Sequence, residues 1–268
     1  MTGQILLEVA DGIGLITFNR PETLNTFTPG FYKKLGEAYR QFDQNDEVKV
    51  LIITGAGHAF CAGADMSAGS DTFSTPDKLN FSSLPLTMQA WEVRKPVIAA
   101  CNGHAVGVGL GIASQCDIRV FAKGAKYGFL QNRRGVVADF AIEHVLPRLI
   151  GFERAFEMIV GAIRISGEQA GEWGLASRVV DAENVVETAV AVARNMIDNC
   201  SPLVMGLHKY LLWHGQDMSR NELAKLETKL LQYSMGRADA LEGGAAFFQK
   251  RSPNWTSSVN KDWPDWLL

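Results

Sequence analysis

The sequence predicts an α/β fold, and three observations carry that prediction. Residues 48–54 and 96–101 are continuous apolar runs rich in small and β-branched side chains, the composition of strands buried on both faces of a parallel sheet. Such strands alternate with stretches whose apolar side chains recur at i, i+3, i+4 and i+7, the period of a helix that buries one face. The third observation joins the two kinds of element. From Asn102 to Asp117 the chain carries Gly103, Gly107, Gly109 and Gly111 between an apolar strand and a short helix. Glycines there let the main chain approach a ligand, and free N–H groups at a helix start suit an anion.

In order, residues 5–9 and 14–19 have strand composition and are separated by Asp11-Gly12, a strong hairpin signal. Thr28-Pro29 supplies the N-cap and first position of a helix whose apolar positions run from Phe31 to Phe42. Gly55-Ala56-Gly57-His58 breaks the 48–54 strand, and residues 60–66 set small side chains around a single acid, Asp65. Residues 67–77 read as a mobile surface loop, 81–94 as a helix, and 117–122 as a third buried strand. From Phe140 the pattern is almost wholly helical, over 140–150, 153–160, 166–173 and 183–199, with a short strand at 176–180. Past Ser201-Pro202, helices are expected over 203–213, 219–235 and 239–249. The expected organisation is a core over residues 1–200 and a helical region over 201–268 that packs on that core or on a neighbouring subunit.

With 268 residues, 47% of them hydrophobic and 21% charged, the chain can bury one large core. A net charge of -3 offers no broad attraction to nucleic acid or acidic lipid. Residues 97–116 carry no charge, a length that could span a bilayer, but the glycines with Asn102, His104, Ser114 and Gln115 argue against a membrane helix. The opening Met-Thr-Gly-Gln lacks a basic segment followed by an apolar one, so a cytoplasmic, soluble protein with no membrane or nucleic-acid partner is expected. Cys61, Cys101, Cys116 and Cys200 form no CxxC pair and read as buried free thiols. The five histidines fall singly, so no metal site is expected. The glycine run is G-x-G-x-G without an acid about 20 residues on, which disfavours a dinucleotide oxidoreductase.

Several of these segments form an ordered set: Asn19-Arg20-Pro21 with Asn25, residues 60–65, residues 95–100, Asn102-Gly103 and the glycine run to Asp117. The set continues through Gly135, residues 146–151 and 170–180, Glu242-Gly243 and residues 247–253. In this order and over most of its length the chain resembles the crotonase (enoyl-CoA hydratase/isomerase) superfamily, closest in pattern to its phenylacetate-pathway isomerase branch. The resemblance implies a crotonase-like spiral of ββα units with a C-terminal helical trimerisation region. It further implies a homotrimer or dimer of trimers acting on an acyl-CoA substrate, with no cofactor beyond the CoA that the substrate carries. By motif position, the main-chain N–H groups of Ala64 and Val108 would form an oxyanion hole for a thioester oxygen gaining enolate charge. Members usually carry Gly at the place of Val108, so the loop here must reach its geometry at negative φ. Ala62, Asp65, Met66, Gly107 and Gly109 would line the path of substrate and CoA. Phe247 and Lys250 would reach the nucleotide end, from this subunit or an adjacent one.

Family hydratases add water with two glutamates, and their positions fall on Gly111 and Gln131, neither of which moves a proton at neutral pH. Gln131 is therefore expected as a substrate contact. Asp139, four residues past Gly135 and just before an apolar helical run, is the acid expected to carry the chemistry, with helix capping as its competing role. One carboxylate suffices for a 1,3-proton shift, so the expected activity is enoyl-CoA isomerisation. Hydration through one acid, and hydrolysis or dehalogenation with Asp139 as base or nucleophile, stay open. Leu84 stands where the dehalogenase branch carries a helper histidine, which weakens that reading. A catalytically inactive CoA-thioester binder or an RNA-binding protein are the alternatives outside catalysis. His104 reads as a satisfied core group or a substrate contact, Glu92 as an exposed acid, Glu143 as a solvated helix residue or a second acid, and Arg133 and Arg134 as surface groups or contacts for an anionic acyl tail.

Overall fold

Asp11 and Gly12 take positive φ (51° and 83°) and turn β1 (Ile5–Ala10) back onto β2 (Ile13–Phe18), the geometry that matches the twist of a hairpin. From β2 the main sheet is parallel through β3 (Val50–Gly55), β5 (Val97–Cys101), β7 (Ile118–Ala122) and β10 (Arg178–Val180), in the order β1-β2-β3-β5-β7-β10. Every residue of β3 and β5 is buried, as their two-sided apolar composition requires. A second sheet holds β4 (Ala59–Cys61), β6 (His104–Val106), β8 (Lys126–Gly128) and β9 (Ile165–Ser166), parallel except for β9. The chain thus steps from a strand of the main sheet through a tight turn to a strand of the small one, as β3 to β4, β5 to β6 and β7 to β8. These ββα turns wind the crotonase-like spiral. The structure, a computed structural model, describes residues 4–74 and 86–267.

The helices are α1 (Pro29–Gln44), α2 (Val108–Ser114), α3 (Ile142–Ile150), α4 (Phe152–Ile159), α5 (Gly167–Trp173), α6 (Val185–Asn199), α7 (Pro202–His214), α8 (Arg220–Ser234) and α9 (Ala238–Gln249). One large apolar cluster runs from Ile13 to Ala193, and a smaller one joins Leu203, Leu207, Leu230 and Leu267. Asp117 stitches the two regions. Its carboxylate accepts from Val97 N–H (2.7 Å) and Trp213 Nε1 (2.7 Å) and pairs with Lys209 Nζ (2.8 Å). Lys209 is buried, and its remaining donors reach the carbonyls of Ala90 (2.8 Å) and Lys95 (3.0 Å), so the charge is compensated where it sits.

Several expectations are corrected. The helix read over 81–94 is not formed in 86–94, which are turns, while 81–85 lie outside the described residues. Its polar groups are engaged elsewhere: the Ala90 carbonyl takes Lys209, and Arg94 N–H donates to Asp43 Oδ1 (2.8 Å). Of the loop expected over 67–77, residues 69–73 form a short 3-10 turn and 75–77 lie outside the described residues. The helix expected from 140 begins at Ile142, because Phe140 and Ala141 take positive φ of 70° and 52°. Cys61, Cys101 and Cys116 are buried, but Cys200 is exposed. Among the described residues no helix is long and apolar enough to cross a membrane, and no cluster of His, Cys, Asp and Glu could hold a metal ion.

Candidate active site

Parallel pairing of β4 with β6, Ala59 opposite His104 and Cys61 beside Ala105, brings the C-terminal ends of two short strands together. Ligand-binding groups in α/β folds gather at such ends. Each strand leaves through a glycine of positive φ, Gly63 (103°) and Gly107 (57°), and the two turns touch: a Cβ on Gly63 would lie 3.2 Å from the Val106 carbonyl. In the first turn, Ala62 N–H donates to Leu24 O (3.1 Å) and Asp65 N–H to Phe27 O (2.9 Å). The Ala64 N–H between them has no acceptor among the described residues. In the second, Gly107 N–H donates to Gly128 O (2.8 Å), and Val108 opens α2, where an N–H has no intrahelical partner. Gly107 takes the positive φ that a residue with Cβ resists, and Val108 keeps helical geometry at negative φ. α2 presses so closely on β4 that a Cβ on Gly109 would stand 2.2 Å from the Cys61 carbonyl. Both candidate donors line one cavity of about 490 Å³.

Asp139 lines the same cavity. It does not cap α3, whose N-cap is Ala141; instead its Oδ1 accepts the N–H of Phe140 (2.6 Å). Phe140 and Ala141 sit in the left-handed region, unfavourable for a bulky side chain unless neighbours hold it. Those neighbours are specific. The buried Gln115 donates Nε2 to the Phe140 carbonyl (3.2 Å), and the Phe140 ring lies over Gly111, where a Cβ would come within 3.0 Å of it. Tyr32 stacks on the same ring, with centroids 5.8 Å apart. Gln131 covers Gly107, and its buried Oε1 has no hydrogen-bond partner among the described residues.

Burial, and after it the charge of Asp139, raises the pKa of Tyr32, so its hydroxyl stays protonated. Burial lifts the Cys61 thiol to about 12, which removes it as a nucleophile at neutral pH.

Residues 8–258 match the sequence profile of the Enoyl-CoA hydratase/isomerase family. The chain belongs to that family. It is 34% identical over 257 residues to the 1,2-epoxyphenylacetyl-CoA isomerase of Escherichia coli K12, covering 94% of this chain and 98% of that protein. It is 31% identical over 243 residues to a probable mitochondrial enoyl-CoA hydratase of Dictyostelium discoideum, covering 91% and 87%. A probable enoyl-CoA hydratase/isomerase from Mycobacterium abscessus shares the fold with a TM-score of 0.90 at 39% identity, over 95% of this chain and 99% of the other.

Of the residues the family pattern singles out, Ala62, Ala64, Met66, Gly107, Val108, Gln131 and Asp139 line the cavity together. Asp65 does not. Hydrogen bonds from Ser67 and the ion pair with Arg20 (3.1 Å) hold its carboxyl below the usual range and tie down the loop. Gly109 is packed under Cys61 rather than facing the cavity. Phe247 (78% exposed) and the exposed Lys250 end α9 and do not reach it. Two of the pattern's three asparagines are clips: Asn25 Nδ2 donates to Ala56 O (2.9 Å) and Ala59 O (2.7 Å), and Asn102 Nδ2 to Gly57 O (2.9 Å). Leu84 lies outside the described residues.

His104 is exposed, not a core group, and lines the cavity with Lys126 and Arg164, which the sequence reading passed over. The available signal was alternation: each of His104 and Lys126 precedes a side chain that is buried, Ala105 and Tyr127. Gln115→Met keeps the volume but leaves the Phe140 carbonyl without its buried donor. It should lower stability by about 1–3 kcal/mol in urea unfolding and speed hydrogen exchange of the Phe140 amide. An unchanged exchange rate would mean the turn holds itself.

Proposed function

We propose that the protein is an enoyl-CoA isomerase that shifts a double bond by one-carboxylate proton transfer. The observation that carries this reading is the Phe140 ring over Gly111, in the place where the family pattern puts a hydratase glutamate. The second such position is Gln131, which leaves Asp139 as the one carboxylate among the described residues lining the cavity. Asp139 takes a proton from C2 of a 3-enoyl thioester, the N–H groups of Ala64 and Val108 hold the oxygen of the dienolate, and the same acid returns the proton at C4. A preorganised donor to such an oxygen is worth about 3–4 kcal/mol, and a positioned acid–base about 10²–10⁴ in rate. Relatives carry both kinds of name, a 1,2-epoxyphenylacetyl-CoA isomerase and enoyl-CoA hydratases, and Gly111 and Gln131 in place of two acids favour isomerisation over two-glutamate hydration. CoA is carried by the substrate, and no separate cofactor enters the scheme.

The working unit proposed is a homotrimer, alone or paired. Phe152, Phe156 and Val160 on and after α4, and Met235, Leu241, Phe247 and Phe248 toward the C-terminus, are exposed apolar side chains of a kind that subunit contacts cover. Phe247 and Lys250, which do not line their own cavity, would then serve that of a neighbour.

Asp139→Asn should lower kcat on a 3-enoyl-CoA at least about 10²-fold while leaving the Kd of a saturated acyl-CoA little changed; full turnover by the variant would refute the role. Gln131→Glu should gain no hydration of a 2-enoyl-CoA, because Phe140 still fills the partner position. Light scattering should give a mass three or six times 29.3 kDa, against which a monomer would count.

A further inference from the structure

One wall of the cavity carries charge that the double-bond shift does not use. β6 and β8 open with His104 and Lys126, linked by the Lys126 N–H donating to His104 Nδ1 (2.9 Å). β9 runs antiparallel beside β8 and sets Arg164 against Gly128, where a Cβ would lie 3.3 Å from Arg164 Cα. Arg134 approaches from the turn 131–134. All four line the cavity that Ala64, Val108 and Asp139 share, in which Asp139 is the one carboxylate among the described residues. Among the described residues, Lys126, Arg134 and Arg164 have no carboxylate within ion-pair distance. Outside the cavity, the exposed Glu168 is close enough to feel Lys126 and Lys123. A concave surface with this balance concentrates anions.

Its position selects the anion. Val106 pairs with Gly128 directly before the Gly107-Val108 turn, and His104 and Lys126 lie two residues back along these strands, about 7 Å at the rise of a strand. The cations therefore stand within reach of an acyl chain of several carbons whose thioester oxygen sits between Ala64 and Val108. The phosphates of CoA are a whole pantetheine arm away from that oxygen. We propose that this wall is a subsite for a carboxylate at the distal end of the acyl chain, so that the enzyme takes thioesters of dicarboxylic acids. Two guanidinium groups suit that ligand, since each can grip a carboxylate through paired N–H donors.

The inference rests on the thioester placement above but not on the reaction, and saturated thioesters separate the two because they cannot isomerise. Isothermal titration would compare saturated acyl-CoAs of equal chain length ending in a methyl or a carboxylate group. Wild type should bind the carboxylate-ended thioester at least about tenfold more tightly. Arg134→Gln with Arg164→Gln, both exposed, should abolish that preference and lower affinity for the methyl-ended thioester less than twofold. Equal affinity in wild type would overturn the proposal. So would an equal loss for both thioesters in the double variant, which would put the cations on the CoA phosphates.

Discussion

The structure depends on the parallel register of β4 and β6. Only three residues long each, these strands have little to gain from their own hydrogen bonds, and buried neighbours hold them: β4 is wholly buried, and Phe60 packs on Phe18 with centroids 5.1 Å apart. Their pairing fixes where Gly63 and Gly107 turn, and those turns fix two N–H groups that no other part of the described chain uses. The hairpin β1–β2, the parallel run of the main sheet from β2 onward and the asparagine clips at residues 55–59 all serve to bring β4 to β6 at that offset. A slip of one residue would turn alternate side chains to the wrong face and separate the donors.

The acid is held by a different means. Asp139 stands in irregular chain just before two left-handed residues, a conformation unfavourable by itself by about 1–3 kcal/mol per residue. Gln115, the bare α-carbon of Gly111 and the Tyr32 ring together make it the stable one. Gly111 therefore has two consequences with one cause: the missing side chain removes a proton-transfer group and makes room for the ring that places another. His104, Lys126, Arg134 and Arg164 line the same cavity as Asp139. The candidate reaction centre and the proposed acyl-end subsite thus share one scaffold.

Much of this was legible in the chain. Asp11-Gly12 announced the hairpin, the two-sided apolar runs announced β3 and β5, and the glycine spacing located the turn before α2. Local pattern was insufficient where distant side chains take over main-chain groups. Residues 86–94 carry a helix-like pattern, yet Lys209 and Asp43, remote in sequence, claim their carbonyl and amide groups. Asp65 is next to a candidate oxyanion donor in sequence but answers to Arg20, 45 residues earlier. β8 and β9, three and two residues long, are too short to show a period. The contact between Phe140 and Gly111 leaves no trace in spacing at all.

The claim most in need of direct measurement is that the Ala64 and Val108 amides polarise a thioester carbonyl. Infrared difference spectroscopy of a saturated acyl-CoA carrying a ¹³C-labelled thioester carbonyl reads this without turnover. On binding, the labelled band should move to lower frequency than in water, and by a similar amount in Asp139→Asn, because both donors are main chain. A bound thioester whose carbonyl band stays at or above its position in water would contradict the account.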